Sequence, residues 1–141
     1  MKRIINTTHI IEATPERVWD IISTGDGVDI WLPAIMSCRL EGNGEGAKRV
    51  CGSTAGDLYE TIEKVDHTHR TFQYSINQQV MLPVTDILVT MIVKGEHNQT
   101  RLDWIFEYTL LDETQGEMVQ QTIRDLYTAG ASGLEKAAQL S

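Results

Sequence analysis

In DLYETIE, residues 57–63, a period of two places Glu60 on the same face as Leu58 and Ile62. An unpaired carboxylate on an apolar face is expensive, so it must be protonated, paired or wet. The turn STAG at 53–56 supplies a partner. Pairing the strands across it sets Gly52 opposite Asp57 and therefore Arg49 opposite Glu60, and directly opposed charges share a face. Turned inward, such a pair could orient a polar group or move a proton. A one-residue slip would turn both outward as a weak surface pair. For Glu60 and Tyr74 both to face inward, the hairpin at DHTH (66–69) needs an odd-length loop or a bulge. A symmetric turn there opposes Glu60 to Ser75 instead.

Other candidates carry less chemistry. GNGEGAKR (42–49) is rich in glycine but lacks the GK[ST] ending, and a strand follows where a phosphate cradle needs a helix N-terminus. It reads as a flexible hairpin loop. GSTAG (52–56) is not a nucleophile elbow, because Ser53 directly follows Gly52. His9, His67, His69 and His97 do not converge with the cysteines as three or four ligands, so no metal is expected. No cofactor motif appears, and no catalytic residue is assigned.

Trp31, Tyr74, Met91, Trp104, Phe106, Tyr108 and Tyr127, with Phe72, form an apolar set with polar tips. Trp, Tyr and Met suit a pocket for a mainly hydrophobic molecule with one or two oxygens. Phe72 and Phe106 read first as core. Gly130 and Gly133, in YTAGASGLEKAA (127–138), interrupt a helical stretch. Each costs about 0.8–1 kcal/mol relative to Ala in a helix interior. Either bulky sheet aromatics approach the backbone there, or volume is left beneath the helix with Tyr127 closing one end.

The elements that position these residues follow from periodicity. Residues 3–12 are β-branched and strand-like. ATPERVWDII starts a helix, with Thr14 as N-cap and Pro15 in its first turn. VDIWLPAI gives a helical turn stopped by Pro33. Six strands follow between Ser37 and Leu110, the last alternating Leu102, Trp104, Phe106 and Tyr108 against mostly polar neighbours. From Val119 the period becomes 3–4, giving an amphipathic helix of about 20 residues. The order of strand, two short helices, six strands and long helix is an α+β architecture.

At 141 residues and 41% hydrophobic content the chain fits a single globular domain, 1–141. A net charge of −8 disfavours nucleic acid and anionic lipid as partners. No apolar run approaches the ~18 residues of a membrane span. The first residues show no signal-peptide pattern, so a cytoplasmic location is expected. Cys38 and Cys51 flank EGNGEGA almost symmetrically and can face each other across a hairpin. In a reducing compartment they read as two small buried hydrophobes, and whether they ever pair is left open.

The stretches IEATPERVWDIIS, Trp31, GAKR (46–49), LYETIEKVD, FQYSI, LPVTD and TRLDWIFEYTL, with the long last helix, resemble the START-like helix-grip superfamily. This superfamily, also called SRPBCC, includes the polyketide cyclase/dehydrase-like proteins. The resemblance implies a curved seven-stranded antiparallel sheet gripping the C-terminal helix, with two short helices after strand 1 and a largely apolar cavity. It also implies a cavity carboxylate at Glu60, as in the plant hormone receptors of the superfamily.

The first functional reading is a binder or carrier of a small hydrophobic ligand such as a lipid, isoprenoid or polyketide. Its site would comprise Trp31, Arg49, Glu60, Tyr74, Met91, Trp104, Phe106, Tyr108, Tyr127 and Gly130. The alternatives are an aromatase/cyclase- or dehydratase-type enzyme in the same cavity, or a chaperone-activator-like interaction module. A homodimer is left open. An enzyme requires several convergent ionisable groups with shifted pKa values; a carrier needs a dry wall with one anchor. An interaction module predicts a filled cavity and an exposed apolar patch.

Overall fold

The computed structural model describes residues 1–140. Strand β1 (Lys2–Ile11) leads into helices α1 (Pro15–Ser23) and α2 (Val28–Trp31). Then come β2 (Ser37–Glu41), β3 (Lys48–Ser53), β4 (Gly56–Asp66), β5 (Thr71–Gln78), β6 (Val84–Glu96) and β7 (Gln99–Leu110). A single 3₁₀ turn, Glu113–Gln115, precedes the last helix, α3 (Gly116–Gln139). The seven strands form one antiparallel sheet in the order β1-β7-β6-β5-β4-β3-β2. The curved sheet wraps α3, giving the helix-grip fold.

Local chemistry sets the element ends. The Thr14 hydroxyl accepts from the Arg17 amide at 3.4 Å, and Pro15 occupies the first turn, where no amide donor is missed. The Asp112 carboxylate caps the turn before α3 by accepting from the Thr114 amide at 3.0 Å. Alternation then decides the faces: along β7 Leu102, Trp104, Phe106, Tyr108 and Leu110 are buried on the inner face. Val119, Ile123, Tyr127, Leu134 and Ala138 supply the matching stripe of α3.

Two register details matter for the site. Across the β3–β4 hairpin Gly52 faces Asp57 and Arg49 faces Glu60. Between β4 and β5 the register slips, with Asp66 facing Thr71 but Ile62 facing Tyr74, so Glu63 is an extra residue. A further slip beside Tyr59 follows. This bulging keeps Glu60, Ile62 and Tyr74 together on the inner face.

Helices α2 and α3 meet backbone to backbone. A Cβ on residue 133 would lie 1.8 Å from the Trp31 carbonyl oxygen, so only glycine permits the contact. The Arg17 Nε donates to the Ala138 carbonyl at 2.8 Å, tying α1 to the end of α3. The cysteines are not the two separate thiols that a reducing compartment suggested. Cys38 and Cys51 are directly opposed on β2 and β3 and joined by a disulfide, their Cα atoms 4.2 Å apart. Such close spacing belongs to the opposed pairs that exchange no ladder hydrogen bonds. Among the described residues no helix is long and apolar enough to cross a membrane.

Candidate functional site

Arg49 and Glu60 are 3% and 6% exposed, and the Arg49 Nε donates to Glu60 Oε1 at 2.6 Å. A second donor of the guanidinium, Nη1, reaches the Gly25 carbonyl at 2.8 Å. Gly25 follows α1 in a left-handed conformation, φ +73°, which favours glycine and turns the TGDG loop toward the sheet. The Arg49 guanidinium also lies over the Tyr74 ring, 4.6 Å from its centroid. One buried cation thus binds a strand, a loop and an aromatic face.

The pair stands at a small internal cavity with about 60 Å³ of free space. Its walls are mostly aliphatic. Leu58, Ile76 and Ile87 come from the sheet, Ile123 and Leu126 from α3, and Leu32 and Ile35 from the segment after α2. Gln79, Met81 and Leu82 close it from the β5–β6 loop. The Gln79 amide organises that loop, accepting from the Met81 and Leu82 amides at 2.8 and 2.9 Å and donating to the Leu82 and Val84 carbonyls at 2.9 and 3.1 Å.

Burial dominates the electrostatics. It raises the Glu60 carboxyl above the ordinary range, against the opposing pull of Arg49. Burial, then the Glu60 charge, raises the Tyr74 hydroxyl, with Arg49 opposing. Tyr127 is raised well above its ordinary value by burial, then by Tyr74 and Glu60. Both phenols therefore keep their protons and are available as hydrogen-bond donors. Glu60 is the group that can change charge.

Five of the ten residues proposed from the sequence line this cavity: Arg49, Glu60, Tyr74, Phe106 and Tyr127. Trp31 and Met91 instead border a second void of about 10 Å³, which shares Arg49 and Tyr74 with the first. Trp104 is core. It stacks on Tyr127 with ring centroids 3.9 Å apart and planes 8° from parallel. Tyr108 is also core, tilted against Phe106 at 5.2 Å, and its hydroxyl has no hydrogen-bond partner among the described residues. Gly130 leaves no volume: a Cβ there would lie 2.8 Å from the Trp104 ring and 3.0 Å from Leu32. The glycine admits the indole to the helix backbone, and the idea of a gap beneath it is corrected accordingly.

The sequence reading missed the cavity's two loop walls and Cys51. A usable signal was present, since Leu32, Ile35, Met81 and Leu82 are large apolar residues in segments outside the strands. Irregular segments lie on the surface and tend to be polar, so apolar side chains there need a reason.

The curved sheet, the gripped helix and the cavity between them define the class as a helix-grip protein. The chain belongs to the polyketide cyclase/dehydrase and lipid transport family, whose sequence pattern matches residues 2–139. No curated protein matches the sequence. An uncharacterised protein from Bacillus thuringiensis is similar in structure, with TM-score 0.82 and 26% identity over 97% of this chain and 99% of that one. The protein XoxI from Bacillus cereus is similar at TM-score 0.82 and 28% identity, covering 96% of this chain and 95% of its own. Norcoclaurine synthase from Thalictrum flavum shares the fold at TM-score 0.77 and 17% identity, covering 99% and 95%.

Proposed function

We propose that residues 1–141 act as one domain that binds a small, mainly hydrophobic molecule between sheet and α3, with Arg49 and Glu60 anchoring its polar end. The observation that carries this reading is the buried pair itself. Replacing a buried ion pair with apolar residues is often neutral or stabilising, so the pair is poorly explained as a stability device. Its position on the wall of a mostly aliphatic cavity supports a recognition role. The Tyr74 and Tyr127 hydroxyls supply further donors.

The size of the cavity restricts how binding works. Ligand sites are usually about 300–1,000 Å³, far above the 60 Å³ here. A lipid, isoprenoid or polyketide-like ligand therefore requires Met81, Leu82 and Leu126 to swing outward. These side chains are half-buried at the rim, on a loop and a helix face, where rearrangement is least costly.

A second reading is supported by one feature. Glu60, Tyr74 and Tyr127 are electrostatically coupled inside the cavity with shifted proton affinities, which suits an aromatase/cyclase- or dehydratase-type enzyme. In that case Glu60 moves the proton and the phenols orient the substrate.

Native mass spectrometry of the protein purified from its own host, with extraction of retained molecules, tests the first reading. Co-purification of an apolar oxygenated molecule, lost in an Arg49→Met variant, is the expected result. No retained molecule, and no uptake of fatty acid or isoprenoid probes at ligand excess, overturns it. Chemical conversion of a bound molecule, abolished by Glu60→Gln, selects the second reading.

A further inference from the structure

We propose that the Cys38–Cys51 disulfide is a thiol-exchange site whose opening releases a cysteine thiol into the cavity beside Glu60. The two sulfurs differ in access. Cys38 is half-buried on β2, which is an edge of the sheet, whereas Cys51 is 1% exposed and lines the cavity. An attacking small thiolate therefore meets the Cys38 sulfur and leaves Cys51 as the departing group, because attack depends on access.

The departing sulfur has a proton source. Cys51 Sγ lies 4.0 Å from Glu60 Oε1, and with the disulfide closed the sulfur carries no hydrogen to donate. Burial holds the Glu60 carboxyl above its ordinary range against the pull of Arg49, which enlarges the fraction of molecules in which it carries a proton. The step balances as follows. The external thiolate forms a new S–S bond to Cys38 while the Cys38–Cys51 bond breaks, its electron pair passing to Cys51. The Glu60 proton then moves to Cys51, giving a thiol and a carboxylate held by Arg49 at 2.6 Å. A second equivalent of the same small thiol removes the adduct from Cys38 and leaves as its disulfide.

The fold tolerates this opening. The β2–β3 ladder runs from Ser37–Gly52 to Glu41–Lys48 on either side of the bridge and does not need it to stay in register. The reduced cavity would hold a buried nucleophile, an acid–base group and a cation together, none of which depends on the identity of a ligand.

The test uses the full chain in reduced glutathione, quenched with acid and mapped by peptide mass spectrometry. The expected result is a glutathione adduct on Cys38 with Cys51 free, formed while the protein remains folded. Glu60→Gln should slow this exchange about tenfold; the effect falls short of full general-acid catalysis because thiolates can leave without help. An Ile62→Val control, which loosens the same strand without removing a proton, should not slow it. An adduct on Cys51, exchange only after unfolding, or a Glu60→Gln rate equal to or above that of the parent overturns the proposal. The adduct's position is read on the unsubstituted protein, so it decides even where Glu60→Gln fails to fold.

Discussion

The guanidinium of Arg49 lies 4.6 Å above the Tyr74 ring while its Nε holds Glu60 at 2.6 Å, so one cation serves a carboxylate and an aromatic face together. The two contacts reach Arg49 from different strands, β4 and β5, and are brought together by the extra residue Glu63. Removing either charge leaves the other buried without its counterpart.

Glu60→Leu, which strands the Arg49 guanidinium, should destabilise the fold by about 3–5 kcal/mol, and Arg49→Met should cost less, because the Glu60 carboxyl can take up a proton. The double variant should recover most of that loss. Urea unfolding of all four proteins closes the cycle; two single variants within about 0.5 kcal/mol of the parent would show the pair to be solvated.

The pH dependence has a definite sign. Burial raises Glu60 above its ordinary value of 4.5 in the folded state, so folding favours its protonated form. Its contribution is complete below the ordinary value and is lost as pH rises through the folded one. The stability difference between parent and Glu60→Gln should therefore shift against the parent over that interval and level off above it. A difference that moves toward the parent instead would mean that Arg49 outweighs burial.

Gly133→Ala should cost more than Gly130→Ala. At 133 the new methyl meets the Trp31 backbone at 1.8 Å, which α2 can relieve only by moving away. At 130 it meets the Trp104 ring and Leu32 side chain at 2.8 and 3.0 Å, and both can shift a little. Overpacking costs about 1–3 kcal/mol, partly offset by the gain of up to about 1 kcal/mol in helix propensity. Chemical denaturation and tryptophan fluorescence would register both effects.

Gln79→Ala removes the amide that links Met81, Leu82 and Val84. The loop closing the cavity should then exchange its amide hydrogens faster. The core beneath, including Val89 and Met91, should keep its protection. Native-state hydrogen exchange resolved by residue distinguishes this from a general loss of stability.

The architecture was legible in the sequence because its signals are local: period two in β7, period 3–4 in α3, a tight STAG turn that fixes one register. The Arg49–Glu60 opposition follows from that turn alone. The need for an irregularity between β4 and β5 was also readable, but not its placement at Glu63. Depth was harder to read. Two glycines facing a tryptophan are compatible with a gap or with a filled contact, and only the distance between α3 and the sheet decides. Trp104 fills it. The disulfide was obscured for a related reason, since opposed cysteines show proximity but not oxidation state.

The pairing of β1 with β7 sets the order in which the chain can be completed. Lys2 through Ile11 find their ladder partners only at Thr109 through Thr100. During synthesis the first strand must therefore wait, without a partner, until most of the chain has left the ribosome. Contacts so distant in sequence form slowly, and an unpaired strand is prone to join a neighbour. Exposed Ile4 and Ile10 make that waiting strand sticky. In this fold β1 is made well before its partner β7 and is among the last strands to be secured, and crowded expression should reveal the cost as aggregation of nascent rather than finished protein.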